Sequence, residues 1–191
     1  MGAVPDLRMS EADYLAYDLA RPGRHEFVNG EVIAMSGGSE AHALATTNLT
    51  ALLHRALRGG PCRVYSNDLR VRIDETGLYA YPDLSIVCGR AELAPTNPLS
   101  LLNPRVLVEV LSDSTEAHDR GAKAAHYRRR PSVEALVFVA TRTRNVEVHT
   151  RNADGSWTLR DATSGEIGVG PLGVTLPLDD VYADFDALAD G

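Results

Sequence analysis

Tyr81-Pro82-Asp83-Leu84-Ser85-Ile86-Val87-Cys88 and, further on, Arg105-Val106-Leu107-Val108-Glu109-Val110-Leu111-Ser112 are two short apolar runs, each holding one carboxylate. A strand that is apolar on both faces belongs in the middle of a sheet, where an ionised Asp or Glu is costly unless something positive compensates it. Two such acids point to a site. Set side by side, Asp83 and Glu109 would offer oxygen ligands to a hard divalent cation, and Mg²⁺ or Mn²⁺ is the leading expectation.

Downstream of Glu109, Asp113 or Ser114 can cap a helix over about residues 115–129, which Pro131 ends. Asp119, Lys123 and Tyr127 follow at i, i+4 and i+8 and so share one broad face of it. The next apolar run, Ala135-Leu136-Val137-Phe138-Val139, completes a strand, helix and parallel strand, so the sheet should be mixed with helices against it. Val146-Glu147-Val148-His149 and Trp157-Thr158-Leu159 extend the sheet, and the tail through Phe185 and Leu188 packs as a last helical turn.

Upstream of Asp83, residues 63–73 lead through the turn Asp74-Glu75-Thr76-Gly77 into residues 78–88, which reads as one antiparallel pair. Residues 89–104, with three prolines, read as a loop. Apolar residues recur at helical spacing from Ser39 to about Leu57, with His42 in the first turn and Gly59-Gly60-Pro61 as the stop. Before it, His25-Glu26-Phe27-Val28, Asn29-Gly30 and Glu31-Val32-Ile33-Ala34-Met35 form a hairpin about a type I′ turn, with Glu26 on its first strand. A short amphipathic helix starts near Ser10 and stops at Pro22-Gly23.

At 191 residues, with no visible linker and no run long enough to span a bilayer, the chain reads as one domain over 1–191 with its core at about 10–185. The start lacks the basic flank and apolar core of a signal peptide, so a cytoplasmic location is expected. Cys62 and Cys88 read as isolated thiols in structural or spectator roles. A net charge of −7 argues against coating nucleic acid by charge alone, but not against a nuclease that approaches DNA through a local basic patch and bound metal ions. Of 19 basic residues only Lys123 is a lysine, which asks for a reason. Arg128-Arg129-Arg130 reads as a solvated helix end, and the histidines other than His42 have no ligand spacing.

Glu26 in its hairpin, His42 at the next helix start, Tyr81-Pro82-Asp83, Val108-Glu109-Val110-Leu111-Ser112, and Asp119 through Lys123 to Tyr127 together resemble the Uma family of putative restriction endonucleases, in the PD-(D/E)XK nuclease superfamily. The resemblance runs from about residue 10 to 185. It implies a restriction-endonuclease-like α/β core, a central mixed β-sheet flanked by helices. It also implies a Mg²⁺-dependent endonuclease hydrolysing DNA phosphodiester bonds. Asp83, Glu109 and the backbone carbonyl of Val110 would then hold one or two ions, and Glu26 would match an acid contributed early in the chain. The superfamily lysine lies two residues after the Glu. Leu111 stands there, and Lys123 is the expected replacement, supplied from the following helix. His42 would contact phosphate or cap its helix, and Asp119 and Tyr127 would support the ligands. The rival readings are an inactive nucleic-acid-binding or dimeric scaffold of the same fold, and a hydrolase of another phosphoester. Exposed strands would favour a homodimer.

Overall fold

The Ser10 hydroxyl accepts the Asp13 amide at 3.2 Å and starts α1 (Glu11–Ala20) in the computed structural model, which describes residues 8–35, 37–96, 99–113 and 115–190. β1 (His25–Val28) and β2 (Glu31–Ala34) follow as the expected hairpin. Asn29 and Gly30 take φ of 51° and 88°, the left-handed pair that a type I′ turn requires. Ser39 caps α2 (Glu40–Leu57) by accepting the His42 amide, and the apolar stripe Leu49, Leu52, Leu53 and Leu57 is buried.

The chain continues through β3 (Cys62–Ser66), β4 (Arg70–Ile73), β5 (Leu78–Ala80), β6 (Leu84–Cys88), β7 (Leu93–Ala94), β8 (Ser100–Leu101) and β9 (Val106–Leu111). A helical segment follows, made of α3 (Glu116–His118), a π-helical turn at Asp119–Lys123, and α4 (Ala124–Tyr127). β10 (Ala135–Ala140), β11 (Asn145–Arg151), β12 (Trp157–Ala162), the hairpin β13 (Glu166–Val169) and β14 (Val174–Pro177), and α5 (Leu178–Val181) complete it. A 3₁₀ segment, Phe185–Asp190, ends the described chain. None of the described helices is long and apolar enough to cross a membrane.

Two six-stranded sheets result, in the orders β2-β1-β5-β4-β8-β7 and β12-β11-β10-β9-β6-β3. The second is the centre of the molecule. Its β9 runs parallel to β10 and antiparallel to β6, so it is mixed, as the strand, helix, strand order implies. On one face Leu84, Ile86, Val108, Val110 and Val137 pack with α2 and α5. On the other, Val87, Leu107, Leu111 and Phe138 pack with α4 and with β4 and β5 of the first sheet. Burial on both faces explains why β6 and β9 read as continuous apolar runs. Tyr14 of α1 stacks on Phe27 at 4.7 Å and closes a smaller core on the first sheet.

Several local expectations need correction. Residues 63–73 and 78–88 are not one strand pair but two, divided between the sheets: β4 pairs with β5, and β3 with β6. The ladder breaks at Tyr81-Pro82-Asp83 because Pro82 has no N–H and the Tyr81 N–H is given to Glu26 Oε1 at 3.0 Å. The 89–104 loop contains the short strands β7 and β8. The helix expected over 115–129 is interrupted by the π-turn and ends at Tyr127; Thr115 precedes it without a side-chain cap, and Ser114 lies outside the described residues. Cys62 and Cys88 are not isolated thiols. They are paired in register across β3 and β6 and joined in a disulfide, a proximity that a separation of 26 residues conceals.

Candidate active site

Where the chain crosses from β5 into β6, it passes from one sheet to the other and leaves a cleft of about 700 Å³. Leu84 pairs with Val108, and one more step of that register sets Asp83 opposite Glu109. Both carboxylates are buried, at 6% and 5% exposure. Glu26 comes from β1, and Asp119 and Lys123 from the π-turn, and all line the same cleft with His42 of α2. The structure thus brings together every site residue expected from the sequence, with Tyr127 one layer behind.

Lys123 stands at the centre. Its Nζ lies 2.9 Å from Glu26 Oε1, 3.0 Å from Glu109 Oε1 and 3.5 Å from Asp119 Oδ1, and the residue is 4% exposed. Burial alone would lower its pKa, but the charges of Glu109 and Glu26 reverse this and hold it well above the usual lysine value. Burial pushes Glu109 well above the carboxylate range, against the pull of Lys123, and raises Asp119 for the same reason. The Tyr127 hydroxyl donates to Glu109 Oε1 at 2.7 Å, and burial followed by the Glu109 charge raises its pKa.

Asp83 is held differently. Its Oδ2 accepts the Val110 amide at 2.7 Å, and its Oδ1 lies 3.2 Å from His42 Nε2. That contact raises the His42 pKa above its ordinary value. Gly38 makes room for it: a Cβ there would fall 2.7 Å from His42 Nδ1 and 3.0 Å from its Cγ. His42 therefore contributes both its backbone N–H to the helix cap and its ring to Asp83.

Sequence reading missed the support beneath the site. Arg70 is wholly buried and donates to Asp18 Oδ2 at 2.9 Å, to the Ser100 hydroxyl at 3.0 Å and to the Tyr14 hydroxyl at 3.2 Å. The Tyr81 hydroxyl donates to the same Asp18 oxygen at 2.9 Å, while the Tyr81 amide holds Glu26. Tyr81 therefore ties the buried Arg70–Asp18 ion pair to Glu26. Arg70 sits in an alternating strand and reads as a solvent-facing residue, so no sequence signal marks it. Arg128 and Arg130 are not wholly solvated either. Arg128 donates to His149 Nδ1 at 2.8 Å, and Arg130 lies 3.2 Å from Glu75.

Carboxylate oxygens suit Mg²⁺ or Mn²⁺. Lys123 and Tyr127 both engage Oε1 of Glu109, and Lys123 and Tyr81 both engage Oε1 of Glu26; the two Oε2 atoms take part in none of these contacts. The donor chemistry fits a hard cation. Among the described residues, however, no three His, Cys, Asp or Glu side chains converge as a ready-made cage.

The fold has a counterpart in the crystal structure of a putative nuclease belonging to DUF820 from Anabaena variabilis ATCC 29413, with a TM-score of 0.72 at 14% identity over 88% of this chain and 97% of that one. Mixed sheets flanked by helices give the protein the same mixed α/β fold as that structure. It belongs to the Uma2 family, described as "Putative restriction endonuclease", which it matches over residues 11–179. Two relatives come from Synechocystis sp. (strain ATCC 27184 / PCC 6803 / Kazusa). The uncharacterized protein slr1290 is 30% identical over 94% of both chains, and the uncharacterized protein sll1609 is 27% identical over 80% of this chain and 86% of its own.

Proposed function

We propose that the protein is a Mg²⁺- or Mn²⁺-dependent endonuclease that hydrolyses DNA phosphodiester bonds at the cleft between its two sheets. The observation that carries this reading is the convergence of Glu26, Glu109 and Asp119 on the chain's single lysine, with Asp83 lining the same cleft. Four carboxylates in one buried cleft, three of them on a single ammonium, are costly to keep ionised, and a divalent cation is the chemistry that relieves it. Asp83, Glu109 and the carbonyl of Val110 would hold the ion, with Glu26 beside them. When bound, it supplies Lewis-acid activation of water and neutralises charge on the phosphate. Lys123 orients the attacking water as a donor. His42, whose Nε2 lies 3.2 Å from Asp83, would offer its ring as a donor to a phosphate oxygen. Tyr127 and Tyr81 fix the carboxylates of Glu109 and Glu26.

We read the chain as one cytoplasmic domain with its core at residues 10–185, acting on DNA. The exposed edge strand β12, with Leu159 at 55% exposure, supports a homodimer. A second reading, a scaffold of the same fold without catalysis, has one observation in its favour: Asp83 already accepts a backbone amide, as a purely structural acid would. Calorimetric titration of Mn²⁺ into wild type and Asp83→Asn, with the metal-free melting temperature of each, separates the two. The enzyme reading expects binding that disappears in a variant at least as stable as wild type, because an acid kept for a metal is a burden without one. Absence of binding to wild type, with and without DNA, together with a destabilised Asp83→Asn, would favour the scaffold.

A further inference from the structure

We propose that the Lys123 ammonium is a built-in occupant of the cation position, holding the acid cluster together until a divalent ion displaces it from Glu109 or Glu26. The inference rests on the metal-dependent reading above and deepens it.

Three features carry it. The first is place: Nζ lies within 3.0 Å of one oxygen each from Glu26 and Glu109, which come from different sheets, and 3.5 Å from Asp119. It is the shared counter-charge of three separate elements, and at 4% exposure water does little to shield it. The second is the acids' arrangement. Hard oxygen donors are plentiful in the cleft, yet no three His, Cys, Asp or Glu side chains form a cage among the described residues, and the carboxylates of Glu26 and Glu109 engage an ammonium. The third is residue type. An Arg fork would lock two oxygens in a fixed plane, whereas a Lys is a compact point charge on a flexible stem that can leave without unfolding its surroundings. In a chain that otherwise uses only Arg, this position alone carries the withdrawable cation.

Lys123 also sits at the last residue of a π-turn between two short α-helical pieces. Such turns are marginal relative to an α-helix and recur at functional sites, so the segment has an alternative local geometry through which the side chain can shift. Released from Glu109, the ammonium is free to donate to water or to a phosphate oxygen. Occupancy of the site and readiness of the lysine are thereby coupled.

The test is Mn²⁺ titration by calorimetry into the full chain as wild type, Lys123→Met, Glu26→Gln and Lys123→Met/Glu26→Gln, with melting temperatures recorded with and without Mn²⁺. Displacement predicts that Lys123→Met melts lower than wild type without metal, binds Mn²⁺ about tenfold more tightly and gains more from it in melting temperature. Binding by Lys123→Met where wild type shows none would support it further. If Lys123→Met does not fold, the double variant, which removes one charge of each sign, is compared with Glu26→Gln and should bind more tightly. Wild-type binding that is unchanged or weakened by removal of the lysine overturns the proposal and leaves the metal reading standing. No Mn²⁺ binding by any of the four proteins overturns both.

Discussion

His42 and His149 show how the same side chain takes opposite characters inside one fold. Contact with Asp83 raises His42, whereas burial and the neighbouring Arg128 guanidinium lower His149, although Glu147 stands 3.4 Å away. The sign for stability follows from linkage. A histidine whose folded pKa is lowered is protonated more readily in the unfolded chain, so its contribution is complete above the unfolded value and is lost as pH falls below it. His149→Gln should therefore flatten the stability profile between about pH 5 and 7, and chemical unfolding across that range measures it. A variant whose acid sensitivity matched wild type would show that His149 carries none of it. At this scale the acids and Lys123 were legible, because a charge inside a Val-Leu-Val run or a lone Lys among arginines stands out. Arg70 and Asp18 were not, since their burial depends on elements far apart in sequence.

Among the elements, the hairpin at Asn29-Gly30, α2, and the strands β9 to β11 follow from local chemistry and were legible on that basis, although the cap of α2 is Ser39 rather than the His42 side chain. The division of residues 63–88 between two sheets was not. Periodicity says that a stretch is extended and is silent on which neighbour it pairs with, and here the switch depends on a side-chain bond from Glu26 to the Tyr81 amide. The β13–β14 hairpin and the short β7 and β8 escaped for the related reason that their pairing is decided by packing. Arg70 joins these elements: from β4 it reaches Asp18 of α1, which also binds Tyr81 at the sheet crossing. Truncating one partner of a fully buried pair leaves the other charge uncompensated. Arg70→Ala should thus cost about 3–5 kcal/mol in urea unfolding. A loss below about 1 kcal/mol, the range of exposed ion pairs, would mean that the pair is not desolvated in solution.

For the whole molecule, the two-sided burial of the central sheet decides where chemistry can sit. Strands covered on both faces admit a carboxylate only at the edge of a cleft, and the chain makes that cleft by passing from one sheet to the other at Asp83. The mixed sheet and the pair Asp83 and Glu109 were accessible from the order of the runs, and Glu26 and Asp119 only through the family resemblance. The two-sheet arrangement and the central place of Lys123 required the coordinates. With a net charge of −7, the DNA of the proposed reaction would have to be drawn to the cleft locally, through bound metal ions and nearby cations, rather than by the overall field. The most direct test is incubation of supercoiled and linear DNA with wild type and Asp83→Asn, each with Mg²⁺, Mn²⁺ or EDTA. The account predicts cleavage by wild type that requires the added ion and falls at least a hundredfold, as an order of magnitude for lost metal chemistry, in Asp83→Asn. Cleavage that persists in EDTA, or that Asp83→Asn retains in full, would contradict it.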